Sequence, residues 1–143
     1  MLFGLFGNAK KTEVNAMLRL GLASALSAHG ENANPDSPGM GKLAKQLVKN
    51  WLNTLPPDPI KNCSPSSLAA YIMVAEAQVH AAEHDLASAN LYVRSAKDLV
   101  QGIGLRLAAG TAHADEITLM QLMAKIANKS GLSFYSELLD EAV

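Results

Sequence analysis

Hydrophobic residues recur along this chain at the three- and four-residue spacing of amphipathic helices, and polar or turn-forming stretches separate one such run from the next. No stretch shows the two-residue alternation that is typical of a strand. The pattern therefore predicts an all-α fold, either a single-domain bundle or a stack of helical hairpins. We expect five helices and a short C-terminal sixth.

Capping residues predict where each helix begins. A serine, threonine or aspartate side chain accepts hydrogen bonds from the first free backbone N–H groups of a helix, and proline is favoured at the first helical position. Two of the starts, Ser37-Pro38 and Ser64-Pro65, combine both signals. The predicted caps in chain order are Thr12, Ser37, Ser64, Asp85, Thr111 and Ser133.

Glycine and proline predict where the helices end. Gly30 closes the first helix, Pro56-Pro57 the second and Gly131 the fifth. The segment PPDPIKNC contains three prolines and is expected to be a semi-rigid, exposed connection. The end of the fourth helix stays open between Gly102 and Ala109.

The third and fourth helices, between Ser64 and Val100, are expected to form a central hairpin. The run LAAYIMVA in the third helix is apolar on nearly every side, which indicates a helix packed by neighbours all round. The predicted core positions of the fourth helix are Leu86, Ala89, Val93, Ala96 and Val100. Those of the fifth are Ile117, Met120, Met123 (or Ala124) and Ile126 (or Ala127).

Residues 1–11 are interpreted as an apolar N-terminal tail, and residues 12–143 as one helical domain. The tail places Leu2, Phe3, Leu5 and Phe6 among glycines. We expect it to dock into a groove of its own domain or of a neighbouring subunit. The alternative is a segment that touches a membrane or inserts into a partner, although one short apolar tail gives only marginal membrane affinity.

Composition favours a protein partner. Charged residues make up 17% of the chain, against about 25% in a typical domain, and apolar residues reach 49%. A small domain with so little charge is expected to cover part of its surface by self-association or by binding another protein. The net charge of −1 provides no general attraction to nucleic acid, so none is expected as a partner.

The chain carries the features of a cytoplasmic protein. Cys63 is the only cysteine, so no disulfide forms within the chain and nothing indicates an oxidising compartment. The N-terminus lacks the basic start and cleavage site of a secretory signal. No stretch approaches the roughly 20 apolar residues of a membrane-spanning helix.

The central hairpin, about residues 64–100, resembles a tetratricopeptide unit. Ala77, Ala89 and Ala96 have the spacing of that family's small residues, and Asp85-Leu86 falls at its acidic and large pair in the turn. Small residues are needed there because the two helices approach closely. The resemblance implies a scaffold that binds proteins or peptides.

The sequence departs from the tetratricopeptide pattern at three positions. Glu76 occupies a usual leucine position, Val93 replaces the aromatic residue, and Gln101 stands where a proline is expected. The match covers about one repeat of roughly 34 residues, without a convincing second copy. An ordinary antiparallel helix pair also needs small residues, so both interpretations stay open.

One helix face carries side chains that could hold a divalent metal. Glu76, His80, Glu83 and His84 lie within about 100° of one another at helical spacing. His113 and Glu116 repeat the His-x-x-Glu pair, and two such segments can build a carboxylate–histidine site in a bundle. The alternative, which we favour, is a polar face turned to solvent.

Lys42, Lys45 and Lys49 form a stripe on the second helix that could contact an anion, although a solvated face explains the stripe better. The nearby SPGMGK resembles a phosphate loop only superficially. Asp36 stands where the first glycine belongs, Leu43 where serine or threonine belongs, and no strand precedes it.

These patterns favour a non-enzymatic protein–protein interaction module, self-associating through an apolar helical surface. No recognisable nucleophile or oxyanion hole appears, and no cofactor is expected. A metal- or small-ligand-binding bundle that uses the His/Glu face is the first alternative. A peripheral membrane protein that uses the N-terminal tail and the lysine stripe is the second.

Overall fold

The computed structural model describes the backbone of residues 2–28 and 30–129, and the side chains of residues 9–28, 30–97 and 99–126. Within these ranges the chain is all-α, as predicted, and contains no strand. The helices are α1 (Leu2–Ala28), α2 (Pro38–Leu52), α3 (Pro57–Asn62), α4 (Pro65–Ala82), α5 (Leu86–Ala108) and α6 (Ala114–Lys129). The helix predicted after Ser133 lies outside the described residues.

Three of the predicted helix starts are confirmed. Ser37, Ser64 and Asp85 cap α2, α4 and α5, and each side chain accepts a hydrogen bond from the backbone N–H three residues later, at 3.3, 3.3 and 3.2 Å. These bonds satisfy N–H groups that would otherwise have no partner in the first turn.

Two predicted helix starts are wrong. The first helix begins at Leu2, so Thr12 lies inside α1 rather than at its cap. The last described helix begins at Ala114, and the Thr111 hydroxyl does not cap it but donates to the carbonyl of Arg106 at the end of α5, 3.2 Å away. This contact joins Thr111 to the preceding helix.

Two connections also differ from expectation. The proline-rich segment forms a short helix, α3, with Pro57 at its first position, where proline is compatible with helical geometry. The fourth predicted helix, α5, continues through Gly102 and Gly104 to Ala108. Burial of Val100 and Ile103 on one side of this stretch offsets the poor helix propensity of the glycines.

The core surrounds α4, as the apolar run predicted. Ser67 to Ala75, together with Ala77, are all buried in this helix. Four helices pack on it, namely α1, α2, α5 and α6, while α1 also contacts α2 and α5, and α3 contacts α6. The most extensive pairing is the hairpin of α4 and α5, where Ala77, Ala89 and Ala96 are completely buried.

Two predicted core positions are wrong. Ile117 of α6 is 41% exposed, because the inward side of the helix carries Glu116, Met120 and Met123 instead. Leu86 is the other, because it lies at the first position of α5 and is 65% exposed. In α6 the rotation follows from Glu116, whose carboxylate hydrogen-bonds to the start of α4.

α1 and α5 approach closely at Gly21. A Cβ atom at this position would lie 2.9 Å from Cε of Met73 and 3.1 Å from the backbone oxygen of Ser95. The methionine end can move aside, whereas the Ser95 carbonyl belongs to the α5 backbone. Any larger residue at Gly21 therefore has to push the two helices apart.

Gly21→Ala should lower the free energy of unfolding by about 1 kcal/mol, because the cost of overpacking exceeds the gain in helix propensity. Gly102 in α5 supplies the matched control, since a Cβ there meets nothing within 4 Å. Gly102→Ala should raise the free energy of unfolding by about 0.8 kcal/mol. Urea unfolding measures both, and equal stabilisation by the two substitutions would contradict the close approach.

Candidate functional site

The most highly connected polar site lies at one end of the bundle, where α4 and α6 begin and α5 ends. We call it the Glu116 cluster, and it consists of Glu116, Arg106, Ser64, Ser66 and Ser67. Oε1 of Glu116 accepts hydrogen bonds from the Ser64 hydroxyl (2.6 Å), the Ser67 hydroxyl (2.6 Å) and Nη2 of Arg106 (3.0 Å). It also accepts from the backbone N–H of Ser64 at 3.2 Å.

These hydrogen bonds determine the charge state of Glu116. The residue is only 4% exposed, and burial alone would raise the pKa of its carboxyl. The donors from Ser64, Ser67 and Arg106 outweigh burial and lower the pKa of Glu116 to about 2. The carboxylate is therefore ionised at neutral pH and bound to a guanidinium.

A carboxylate held in this way is a poor general base, because catalytic bases work best with a pKa near the operating pH. The Ser64 and Ser67 hydroxyls donate to Glu116, and both also lie within hydrogen-bond distance of Nη2 of Arg106. The arrangement accordingly resembles a structural ion pair, which joins the ends of three helices.

Two further contacts extend this end of the bundle. Nζ of Lys10 in α1 donates to three carbonyls at the end of α3, those of Ile60 (2.9 Å), Lys61 (2.7 Å) and Cys63 (2.9 Å). A cation is favourable there because unpaired carbonyls collect at a helix C-terminus. Cys63 itself is buried, and burial, with Glu116 nearby, raises the pKa of its thiol to about 11.

Only part of this site could be predicted from the sequence. Ser64 was expected as a helix cap, and Glu116 as one member of a His-x-x-Glu pair. No sequence signal indicated that Arg106 would join them. The one local sign was the density of hydroxyls in Ser64-Pro65-Ser66-Ser67, which exceeds what a single cap requires.

At the opposite end of α4, the structure brings two of the five predicted metal ligands together. Oε1 of Glu76 lies 3.8 Å from Nε2 of His80, whose ring stacks on Tyr92 with centroids 5.4 Å apart. Nδ1 of His80 lies 3.8 Å from a carboxylate oxygen of Asp85. Oε2 of Glu76 accepts a hydrogen bond from the indole of Trp51 at 3.2 Å.

The aromatic neighbours of this pair are largely enclosed. Tyr92 is 5% exposed, and burial, followed by the charge of Glu76, raises the pKa of its phenol to about 12. The stacked ring and the indole fix the positions of His80 and Glu76.

The other three predicted ligands lie elsewhere. Glu83 and His84 occupy the turn after α4, where both are exposed and His84 has a φ of 61°. Nδ1 of His113 accepts from the backbone N–H of Asp115 at 3.0 Å, at the start of α6. The start of α6 is hydrogen-bonded to Ser64 at the start of α4. His80 lies about 24 Å from Ser64 along α4.

No three His, Cys, Asp or Glu side chains in the described part of the chain are close enough to hold a metal ion. The five predicted ligands are therefore divided between the two ends of α4, with only Glu76 and His80 in contact with each other.

The predicted anion contacts lie on the outer side of α2. Lys42, Lys45 and Lys49 are all exposed. Among the residues whose side chains are described, none of the three lysines has a hydrogen-bond or ion-pair partner. The stripe is available to solvent or to an anionic surface, and the described residues 2–28 and 30–129 contain no helix that could cross a membrane.

The N-terminal residues Leu2, Phe3, Leu5 and Phe6 belong to the first turns of α1. The tail predicted over residues 1–11 is thus continuous with α1, the longest of the described helices, which has 27 residues. The side chains of these four residues lie outside the described set.

Comparison with known proteins gives no family to which the chain can be assigned: no protein-family profile, no curated protein and no solved structure matches it. The resemblance of α4 and α5 to a tetratricopeptide unit stays a prediction.

Proposed function

We propose that the protein is a non-enzymatic interaction module that self-associates through the N-terminal turns of α1. The observation that carries the proposal is that α1 begins at Leu2, whereas the first buried residue among its described side chains, those of residues 9–28, is Val14. The apolar residues that were predicted to form a tail are therefore part of a helix.

The path of α1 places these turns at the end of the bundle. Lys10 contacts the carbonyl of Cys63 just before α4, and Gly21 lies against Met73 within α4. In both segments the first contact precedes the second by about three helical turns along the chain. The helices α1 and α4 therefore run parallel. Residues before Lys10 therefore continue beyond the start of α4.

The angular positions of residues around the axis of α1 show which side of the helix these turns share. Leu20 is 60% exposed, and the nearby Ala9 and Glu13 on the same side are also exposed. Position 2 lies about five full turns before position 20, and position 5 lies within about 60° of the same direction. The positions of Leu2 and Leu5 thus continue the outer side of α1.

A second copy of the chain is the partner that fits these features. Burying one leucine or phenylalanine side chain contributes about 1.5–3 kcal/mol, and a symmetric contact buries every such residue twice. The net charge of −1 and the charged fraction of 17% impose little repulsion between copies. Pairing would also stabilise helical turns that are marginal in water by themselves.

The test measures molar mass by size-exclusion chromatography with light scattering. The intact protein should be a dimer or larger at about 100 μM. Leu2→Ser with Leu5→Ser should weaken the association at least about a hundredfold. A symmetric contact would lose four leucine side chains, two from each copy. The matched control is Leu86→Ser with Leu105→Ser, which removes two exposed leucines from α5 and should leave the assembly intact.

A monomeric intact protein, or an assembly that survives the Leu2 and Leu5 substitutions unchanged, would contradict the proposal. The peripheral membrane alternative uses the same turns together with Lys42, Lys45 and Lys49. Co-sedimentation with phosphatidylglycerol vesicles distinguishes membrane binding from self-association. A monomer that binds the vesicles only at low salt would support the membrane alternative.

A further inference from the structure

A recess of about 400 Å³ opens between the C-terminal half of α1 and the middle of α5. Its α1 side consists of Gly21, Ser24, Ala25 and Ala28. Its α5 side consists of Arg94, Ser95 and Lys97. None of these residues was predicted as a site from the sequence, and the recess is separate from the Glu116 cluster and from the His80 contacts.

The recess exists because the helices meet at Gly21 and small residues follow. The two backbones approach closely there, since a Cβ at Gly21 would lie 3.1 Å from the carbonyl oxygen of Ser95. One and two turns later, Ser24, Ala25 and Ala28 have side chains too short to fill the space between the helices. The lining therefore combines the methyl groups of Ala25 and Ala28 with polar side chains.

Among the lining residues whose side chains are described, the two charged ones are both cationic. Arg94 and Lys97 are exposed and three residues apart, so they are neighbours on the α5 surface. Neither has an ion-pair partner among the described side chains. Two like charges at this spacing repel each other, and a bound anion would relieve that repulsion.

We propose that this recess binds the phosphate group of a small phosphorylated molecule. A phosphate monoester carries up to two negative charges and three acceptor oxygens, which matches the guanidinium of Arg94, the ammonium of Lys97 and the hydroxyl of Ser24. A carboxylate carries one charge and two oxygens, so it would neutralise the two cations less completely than a phosphate dianion. The volume lies within the range of small-molecule sites, so a compact organic group fits over Ala25 and Ala28.

Phenyl phosphate is a suitable probe because it combines the phosphate with a small apolar body. Titration into the full-length protein should produce saturable shifts of backbone NMR signals, largest at Gly21, Ser24 and Ser95. Inorganic phosphate should give smaller shifts of the same signals, and benzyl alcohol, which lacks the charge, should give none.

Variants of exposed residues separate binding from folding. Arg94→Gln and Lys97→Gln should each weaken phenyl phosphate binding about tenfold, since a hydrogen bond to a charged group contributes about 1.5 kcal/mol or more. Ser24→Leu should abolish binding by filling the recess while both cations remain. The matched control, Lys42→Gln with Lys45→Gln, removes two exposed charges from α2 and should bind like the intact protein.

The proposal is overturned if phenyl phosphate fails to saturate by about 10 mM, or if the Lys42 and Lys45 variant loses binding as strongly as the Arg94 and Lys97 variants. A response to phosphatidylglycerol vesicles without saturation by phenyl phosphate would also overturn it, because the phosphate would then belong to a lipid surface. Oligomeric state is measured separately, so failure of either proposal leaves the other intact.

Discussion

Replacing Glu116 with glutamine should lower the free energy of unfolding by about 3 kcal/mol. Glutamine keeps the shape and one acceptor oxygen but removes the negative charge, leaving the guanidinium of Arg106 without its ion-pair partner at a half-buried position. The Ser64 and Ser67 hydroxyls would then donate to a neutral acceptor, which is a weaker hydrogen bond.

Urea unfolding followed by circular dichroism measures this loss. Glu13→Gln is the matched control, because Glu13 lies on the exposed side of α1 and should change stability by less than about 0.5 kcal/mol. If the two substitutions have equal effects, the Glu116 cluster does not hold the helix ends together.

The pH dependence provides a second test of the same carboxylate. The pKa of Glu116 is about 2 in the folded protein, below the ordinary value of 4.5, so folding favours the ionised form. Its stabilisation is complete above about pH 4.5 and is lost as the pH falls towards 2. The difference in stability between the intact protein and Glu116→Gln should therefore shrink over this range and stay constant between pH 6 and 8.

Ile72→Ala should lower the free energy of unfolding by about 3 to 4 kcal/mol. Ile72 is completely buried in α4, and helices pack against α4 from several sides, so the structure cannot relax into the cavity from a free face. Leu105→Ala supplies the control, since Leu105 is 74% exposed and should change stability by less than about 0.5 kcal/mol.

The same unfolding measurement distinguishes the two substitutions. A small effect of Ile72→Ala would mean that α4 is not the centre of the core. Retention of helical circular dichroism at low denaturant, with a lower midpoint, is the expected result for a cavity in an otherwise unchanged fold.

The sequence predicted those parts of the fold that depend on local signals. Ser37, Ser64 and Asp85 define helix starts by hydrogen bonds to residues three positions away, and such short-range contacts can be read from the order of residues. The central position of α4 followed from an apolar run on all its sides.

Errors arose where tertiary contacts decide the structure. The glycine-rich beginning of α1 contains no capping signal, and the proline-rich α3 is too short for a periodic pattern. α5 continues past Gly102 because its other side is buried against the core. Ile117 was assigned to the core on spacing alone, whereas the inward turn of Glu116 determines which side of α6 is buried.

The Glu116 cluster could not have been assembled from the sequence. Arg106 is 42 residues from Ser64, and Glu116 is 52 residues from it. Spacing within one helix carries no information about such pairs. The predicted metal face around His80 failed for a different reason. Helical spacing grouped Glu76 with Glu83, but Glu83 lies in the turn after the helix ends.

The enclosed thiol of Cys63 has a consequence for the redox chemistry of the chain. Thiolate is the reactive form of cysteine, and a pKa of about 11 in a buried position leaves almost none of it at neutral pH. While Lys10 holds the adjoining carbonyls in place, mild oxidants and alkylating reagents have little to attack. Modification of this single thiol therefore records how often that end of the bundle opens, which makes Cys63 an intrinsic probe of local unfolding.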